Sequence, residues 1–286
     1  MNRLILATLA VLAAAALAAC NGALGVDTAE GVIYFSSQDM VRMRWPVGDN
    51  RLERAVQWRT EAKGVRVGRV TLTRRYGMTG FTLVLVSVDA SRVRAEVRYS
   101  KDHQVCSDLV DPKGPHLCVN GSLFSSKPLG LLVHGGQVVN PRHPFMAGYL
   151  VVPKGGRPTV KIGEAFALDE VAEALQSFPA LLRHGQVVPQ VRNRAPDSPF
   201  QSDVAARRTV VGEDGRGNLL FAVTDTLTGG LSFNETATLL AALGWKDALC
   251  LDGGGSSQLS LRLKNARLDV PGMDPVPVKV ALWLKK

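Results

Sequence analysis

The most constraining feature of this sequence is an apolar run that ends abruptly in one carboxylate, three glycines and two hydroxyls. The run covers residues 248–251, and Asp252, the three glycines at 253–255 and the serines at 256–257 follow it. Glycine has no Cβ atom, so three in a row let the backbone approach a ligand closely and adopt positive φ angles. A tight hairpin turn is the simpler interpretation, because Asp-Gly is common there, but a turn needs fewer glycines. We therefore predict a buried strand that ends in a functional loop.

The amino terminus has the layout of a bacterial lipoprotein signal. A short cationic segment at residues 1–3 precedes an apolar stretch at 4–17, which has the length of a signal-peptide core and is short for a membrane-spanning helix. Residues 17–20 (LAAC) resemble a lipobox, which implies cleavage before Cys20 and lipidation of its thiol. An ordinary signal peptide cleaved before a cysteine is the alternative. Asn21 follows rather than aspartate, so we expect an envelope lipoprotein on the outer membrane, facing the periplasm, if the cell is Gram-negative.

The composition predicts a folded domain after this signal. Hydrophobic residues make up 46% of the chain, which is enough to fill the core of one large domain or two small ones. We divide the chain into a signal peptide at 1–19, a flexible tether at 20–31, a basic lead-in at 32–76 and a main domain at 77–286. No segment after the signal is long and apolar enough to span a membrane, so the only expected membrane contact is the lipid on Cys20.

Positive charge is concentrated in the lead-in, within a chain whose formal net charge is +9. The basic residues there are Arg42, Arg44, Arg51, Arg54, Arg59, Lys63, Arg66, Arg69, Arg74 and Arg75. A surface lipoprotein rarely meets nucleic acid, so we expect no nucleic-acid partner and favour anionic lipid heads or glycans. A solvated basic face explains the same residues equally well.

Cysteine and histidine usage argues against a metal site. Cys106 and Cys118 are close in sequence and could pair as a disulfide in an oxidising compartment, whereas Cys250 lies in an apolar strand. The sequence has no CxxC or HExxH pattern, and its five histidines are scattered. We therefore expect no metal and no other cofactor.

Short β-rich runs dominate the chain from residue 65 onward. Strands are predicted at 69–73, 81–89 and 92–100, where Val93, Ala95, Val97 and Tyr99 alternate on one face. The similar sequences of residues 130–139 and 179–188 each predict a β-hairpin. A short helix is predicted at 167–176, because Leu168, Val171, Ala172 and Leu175 recur at helical spacing.

The clearest unit is a strand–helix–strand arrangement near the carboxyl terminus. A hairpin joins 208–212 to 219–225, and Ser232 with Glu235 then forms a capping-box pattern before a helix that stops at Gly244. If the strands before and after this helix are parallel, Asp225 and Asp252 reach the same edge of the sheet. The predicted fold class is α+β: a mixed, mainly antiparallel sheet with a few packed helices in a single main domain.

Several of these segments, taken in order, resemble the phosphodiester glycosidase domain family. The matching segments are 208–212, Asp225, Glu235 within its helix and 251–257, preceded by Asn120-Gly121 with Phe124, by Gly130 with 137–140, and by 178–182 with Gly185. The resemblance extends from about Phe81 to Leu284. Two departures stand out: Gly121 occupies a position where alanine is common, and Thr226-Leu227 replaces a glycine-bearing turn after Asp225.

The resemblance implies that the protein cleaves a sugar from an anomeric phosphodiester, here in a cell-envelope glycan or glycoconjugate. Glycosidases usually use two carboxyl groups, and the implied ones are Asp252 as nucleophile or base, Glu235 as the second carboxylate, and Asp225. The implied substrate-binding residues are Asn120, Arg208, Thr209, Gly253, Gly254, Gly255 and Ser256. A phosphomonoester, whose second pKa is about 6, leaves easily. Stabilisation of its charge, by the Arg208 guanidinium and the backbone of the glycine loop, should therefore matter more than a strong general acid.

Each of these residues also has a structural interpretation. Glu235 would close the capping box with Ser232, and Asp225 would cap a turn. Arg208 would pair with a carboxylate as a structural cation, and Asn120 would bond to the backbone in a turn.

Two other classes of function compete with the glycosidase. A serine hydrolase is suggested by His134-Gly135-Gly136 and by Ser256 after glycines, but no GxSxG motif occurs and no histidine follows Ser256. A non-catalytic envelope lipoprotein that binds anionic glycan is the stronger rival. The presence of both Asp252 and Glu235 favours catalysis, and the glycine loop disfavours a purely structural lipoprotein.

Overall fold

A computed structural model describes residues 24–35, 51–74, 80–146, 148–188 and 204–285. Over these ranges the strands are β1 Leu24–Thr28, β2 Gly31–Phe35, β3 Arg59–Ala62, β4 Val65–Arg74, β5 Phe81–Asp89, β6 Val93–Gln104, β7 Leu117–Asn120, β8 Leu132–His134, β9 Gln137–Asn140, β10 Gly148–Pro153, β11 Thr159–Ile162, β12 Val171–Ser177, β13 Ala180–Arg183, β14 Gln186–Val187, β15 Thr209–Glu213, β16 Asn218–Asp225, β17 Asp247–Cys250, β18 Leu259–Arg262, β19 Arg267–Val270 and β20 Val276–Leu284. The helices are α1 Arg51–Ala55 and α2 Phe233–Ala242. The signal and Cys20, and most of the loop expected at 193–204, lie outside the described residues.

The described strands form three sheets that share one core. The largest has the order β14-β13-β17-β15-β16-β5-β4-β1-β2, with β3 paired to β4. The second runs β11-β10-β12-β8-β9 and the third β19-β18-β7-β20-β6. The main core cluster draws side chains from all three sheets, and a second cluster lies between the large sheet and the two helices.

Strand β5 shows why the large sheet is buried on both faces. Its side chains alternate, so Val84, Val86 and Val88 enter the core shared by the three sheets, whereas Leu83 and Leu85 pack on the helix side. Successive residues of a strand point to opposite faces, and a doubly covered strand therefore reads as a nearly continuous apolar run. The antiparallel character of the sheets was predicted, but the described part of the protein is richer in strand than the predicted α+β class implies.

The helix predicted at 167–176 is wrong. Leu168–Glu170 is a single 3₁₀ turn and Val171–Ser177 is strand β12. Strand β12 lies between β10 and β8 and is buried along nearly its whole length. Side chains on both faces are therefore buried, so the strand lacks the alternation of apolar and polar residues, and its apolar residues match the helical spacing by chance.

The predicted tether is also wrong where the structure describes it. Residues Leu24–Thr28 form β1, which pairs with β2 and β4, and Leu24 and Val26 are fully buried. The small, polar composition of 20–31 concealed this short apolar alternation. Strands β3 and β4 of the basic lead-in belong to the same sheet as β5, so the boundary proposed at 76/77 separates two hydrogen-bonded neighbours.

Several local predictions are confirmed. The hairpins β8–β9, β13–β14 and β15–β16 form as expected. Cys106 and Cys118 form a disulfide with a Cα–Cα distance of 5.3 Å, and the Cys250 thiol is buried and free. Among the described residues, no helix is long and apolar enough to cross a membrane.

Candidate functional site

The candidate site lies at one edge of the large sheet, where three parallel strands end, each separated from the next by one antiparallel strand. Strands β16 and β17 both run antiparallel to β15, so they are parallel to each other. Their carboxyl ends, Asp225 and Asp252, therefore reach the same edge, as predicted for parallel strands. Strand β4 is antiparallel to β5, which is antiparallel to β16, so Arg74 at the end of β4 reaches this edge as well.

The three glycines form a 3₁₀ turn, Gly254–Ser256, directly after Asp252. Gly254 has a φ of 59°, in the left-handed region that glycine adopts without strain. Asp252 Oδ1 accepts the Gly253 N–H at 3.0 Å, the Gly254 N–H binds the Arg207 carbonyl at 3.0 Å, and the Ser256 N–H binds the Gly253 carbonyl. Three of the four backbone N–H groups of residues 253–256, which the resemblance implied would stabilise the phosphate charge, are thus engaged within the protein. The turn fixes the Asp252 carboxylate.

The surroundings of Asp252 favour its neutral form relative to an ordinary aspartate. Burial raises the pKa of the Asp252 carboxyl, and the negative charge of Asp274 raises it further. Hydrogen bonds from the Ser256 side chain and the Gly253 N–H oppose these effects, because they stabilise the ionised carboxylate and lower its pKa. A carboxyl whose pKa is raised in a partly buried position is a candidate base or nucleophile.

Asn120 and Thr209 form a buried hydrogen-bond network with the backbone of Asp252 and Gln258. The Asn120 amide donates to the Asp252 carbonyl at 2.7 Å, and its oxygen accepts from the Thr209 hydroxyl at 2.8 Å and the Gln258 N–H at 3.0 Å. Asn120 and Thr209 are fully buried. The structure therefore brings both next to Asp252, in contacts that position its backbone.

Arg208 lies between the glycine turn and the start of α2. Its Nε donates to the Leu231 carbonyl at 2.8 Å, its Nη2 donates to the Val204 carbonyl at 2.5 Å, and its guanidinium carbon stacks 3.6 Å from the Phe233 ring centre. Nη1 lies 3.6 Å from the point where a Cβ on Gly253 would stand. Burial lowers the pKa of the Arg208 guanidinium, and the nearby Cys250 and Glu235 groups counter that effect. Two edges of the guanidinium are thus committed to the backbone, and its third edge faces the glycine turn.

Glu235 performs the structural role that its sequence position allowed. Its side chain accepts the Ser232 N–H at 2.8 Å while Ser232 Oγ accepts the Glu235 N–H, which completes the capping box of α2. Both carboxylate oxygens also bind the Arg74 guanidinium, with an Nη2–Oε2 distance of 2.9 Å. Arg74 Nη2 in addition donates to the Gly230 carbonyl at 2.7 Å.

Asp225 is exposed at the end of β16. The turn after it is bonded through the neighbouring residue, because Thr226 Oγ1 donates to the Thr228 carbonyl at 2.6 Å. The charge of Asp225 acts on the buried Arg207 and partly offsets the lowering of the Arg207 pKa by burial. Asp225 therefore lies at the rim of the site, whereas Asp252 lies within it.

Four residues of the site were not selected from the sequence as site residues: Arg74, Arg207, Gln258 and Asp274. Arg207 is buried, and its Nη2 donates to the carbonyls of Ser257 at 2.7 Å and Pro271 at 2.6 Å. The Arg207-Arg208 doublet was a visible signal for Arg207. Arg74 was one of ten basic residues in the lead-in, with nothing to single it out. No local pattern distinguishes Gln258 or Asp274. Among the described residues, no cluster of three or more potential metal-ligating side chains occurs.

The sequence of the chain matches that of phosphodiester glycosidases. A family model described as phosphodiester glycosidase matches residues 113–283, and the chain belongs to this family. A comparison with curated protein sequences gives no match.

Solved structures share the fold at low sequence identity. The catalytic domain of zebrafish N-acetylglucosamine-1-phosphodiester alpha-N-acetylglucosaminidase, auto-inhibited by its pro-peptide, superposes with a TM-score of 0.61 at 17% identity, over 86% of this chain and 92% of that domain. A hypothetical protein from Synechocystis gives a TM-score of 0.56 at 13% identity, over 80% of this chain and 64% of the other. A putative exported protein of Burkholderia pseudomallei gives 0.52 at 13% identity, over 96% and 89%.

Proposed function

We propose that this protein hydrolyses a sugar from an anomeric phosphodiester in a cell-envelope glycan or glycoconjugate. The observation that carries the proposal is the placement of Asp252. Its carboxylate is anchored on a three-glycine turn, at the edge where Arg208 approaches the same turn. A carboxylate beside a fixed cation suits a reaction that attacks an anomeric carbon and expels a phosphate.

In the proposed reaction, the bond between the anomeric carbon and the bridging oxygen breaks. The phosphomonoester leaves with the electron pair, and oxygen from water ends on the sugar. Asp252 acts as nucleophile or as the base that takes the proton of water. Because its pKa is raised, the Asp252 carboxylate is a stronger base than an ordinary aspartate once it is ionised. The leaving phosphomonoester needs little protonation, since its second pKa is about 6.

The charged and polar neighbours have supporting roles in this proposal. The third edge of the Arg208 guanidinium stabilises the phosphate as it leaves, and Asp225 at the rim contacts the substrate. Asn120 and Thr209 position the backbone of Asp252, and Gly253, Gly254, Gly255 and Ser256 form the turn that carries it.

The location remains part of the proposal. Cleavage before Cys20 and lipidation of its thiol would tether the domain to the outer membrane in the periplasm. Since β1 begins at Leu24, only a few residues would separate the lipid from the folded domain. Such a short connection would keep the domain close to the membrane, which suits a substrate at the envelope surface.

The test is release of free sugar by the soluble form that begins after Cys20. The substrates are UDP-N-acetylglucosamine and the methyl phosphodiesters of N-acetylglucosamine, glucose and mannose 1-phosphates. We expect free sugar and its phosphate leaving group, UDP or methyl phosphate, in equal amounts from at least one substrate, and loss of release in Asp252→Asn. Asp169→Asn, which alters an exposed aspartate in a 3₁₀ turn, is the matched control and should retain full activity.

One observation favours a second function, a non-catalytic binder of anionic glycan. Glu235, expected as the second carboxylate, is committed to Arg74 and to the cap of α2. A binder would retain glycan affinity in both wild type and Asp252→Asn while cleaving none of the substrates. That outcome would replace the glycosidase proposal.

A further inference from the structure

The carboxylate of Asp274 lies directly against the glycine turn that carries Asp252. Its Oδ2 is 1.9 Å from the point where a Cβ on Gly255 would stand. A side chain at position 255 would therefore occupy the place of this carboxylate. The third glycine of the turn is thus explained by the approach of Asp274, in addition to the conformational freedom that Gly254 requires.

The backbone of Asp274 is fixed in this place. The N–H groups of Met273 and Asp274 both donate to the Gly255 carbonyl, at 2.8 and 3.1 Å. The Asp274 carbonyl accepts from the Gln258 Nε2 at 3.0 Å, and Gln258 is itself buried and accepts the Cys106 N–H at 2.6 Å. The loop that presents Asp274 is therefore held at three points, although the residue itself is exposed.

Asp252 and Asp274 both contact the same turn, and the charge of Asp274 acts on Asp252. Asp252 is bound to Gly253 at the start of the turn, and Asp274 lies at Gly255. The charge of Asp274 is one of the causes that raise the pKa of Asp252. Glu235 differs, because both its oxygens bind Arg74 and one also accepts the Ser232 N–H.

We propose that Asp274 is the second carboxylate of the site and takes the proton of the hydrolytic water, while Glu235 positions Arg74 and α2. This inference rests on the proposed glycosidase function. Asp274 is the exposed member of the pair and is open to water, whereas Asp252 is partly buried. The exposed group suits a base for water, and the anchored group suits a nucleophile.

The proposed mechanism has two steps. An oxygen of Asp252 forms a bond to the anomeric carbon, the bond from that carbon to the phosphate oxygen breaks, and the phosphomonoester leaves with the electron pair. Water then attacks the anomeric carbon, Asp274 takes the proton, and the bond to Asp252 breaks with its electrons returning to the carboxylate. Asp274 finally releases the proton to solvent. The sequence is that of a retaining glycosidase.

The experiment compares wild type, Asp274→Asn, Gly255→Ala, Glu235→Gln and the control Asp169→Asn on the methyl phosphodiesters and UDP-N-acetylglucosamine. Loss of a general base should lower turnover of Asp274→Asn by about 10²–10⁴-fold. Because the first step does not need Asp274, this variant should release one burst of phosphomonoester per enzyme and carry a covalent sugar, seen by intact mass. Sodium azide, which attacks without losing a proton, should restore turnover and yield the glycosyl azide.

The outcomes separate the two proposals. Gly255→Ala displaces the Asp274 carboxylate without removing it, so it should show the same burst of phosphomonoester. Glu235→Gln should show no such burst. An active wild type with an equally active Asp274→Asn overturns the inference alone. A well-folded Asp274→Asn that is inactive with neither burst nor azide rescue also overturns it. Wild type that cleaves none of the substrates overturns the glycosidase function and the inference together.

Discussion

Replacement of Glu235 by alanine tests whether this residue is chiefly structural. The change removes the Arg74 ion pair, whose side chains are only 9% and 12% exposed, and half of the capping box of α2. Removing one partner of a buried ion pair costs about 3–5 kcal/mol, because the other charge is left buried. Loss of a helix cap alone costs about 0.5–2 kcal/mol, and the two terms overlap since one side chain supplies both. We expect the free energy of unfolding to fall by about 3–5 kcal/mol.

The assay is urea and thermal unfolding of the soluble form. At about 2–4 °C per kcal/mol for a domain of this size, the melting temperature should fall by roughly 6–20 °C. Glu164→Ala is the matched control: its pair with Lys161 is 42% and 27% exposed, so its loss should cost less than about 1 kcal/mol. If Glu235→Ala unfolded at the same urea concentration as this control, the structural assignment of Glu235 would be refuted.

Other perturbations have equally specific outcomes. Asp252 has a folded-state pKa above its unfolded value, so the stability linked to this group is full at low pH and lost as pH rises through the folded pKa. Asp252→Asn should therefore unfold at higher urea than wild type at neutral pH, and the difference should vanish in acid; a variant less stable at neutral pH would contradict this. The rate of sugar release should fall as the pH is lowered, beginning above the usual aspartate range, because Asp252 must be ionised to react. A pH–rate profile measures this decline. A rate that stayed constant down to about pH 4 would contradict the role of Asp252. Gly212→Ala places a Cβ 2.4 Å from the Asp247 carbonyl oxygen and should cost about 1–3 kcal/mol in urea unfolding, unlike Gly114→Ala, whose Cβ would meet its nearest neighbour at 3.4 Å.

The sequence allowed prediction of the elements whose signals are local. The β15–β16 hairpin, the capping box of α2 and the strand before Asp252 were all predicted, because turn residues, caps and apolar runs lie within a few positions of each other. The shared edge of Asp225 and Asp252 followed from chain connectivity once β16 and β17 were taken as parallel. These elements place the central carboxylate of the candidate site.

What could not be predicted depends on pairings between distant parts of the chain. Arg74 and Glu235 are 161 positions apart, and neither local composition nor spacing connects them. Asp274 reaches the glycine turn through backbone hydrogen bonds to Gly255, which leave no pattern in the sequence. Strand β12 was mistaken for a helix because burial on both faces of a sheet removes the alternation that identifies a strand.

The most direct test of the glycosidase mechanism is the position of bond cleavage in ¹⁸O-labelled water. Wild-type enzyme is given a methyl phosphodiester of a sugar 1-phosphate that it cleaves, and the phosphomonoester is analysed by mass spectrometry. Attack at the anomeric carbon leaves the phosphomonoester unlabelled, because all its oxygens come from the substrate. An ¹⁸O atom in the phosphomonoester would mean attack at phosphorus, and would contradict the roles assigned to Asp252 and Asp274.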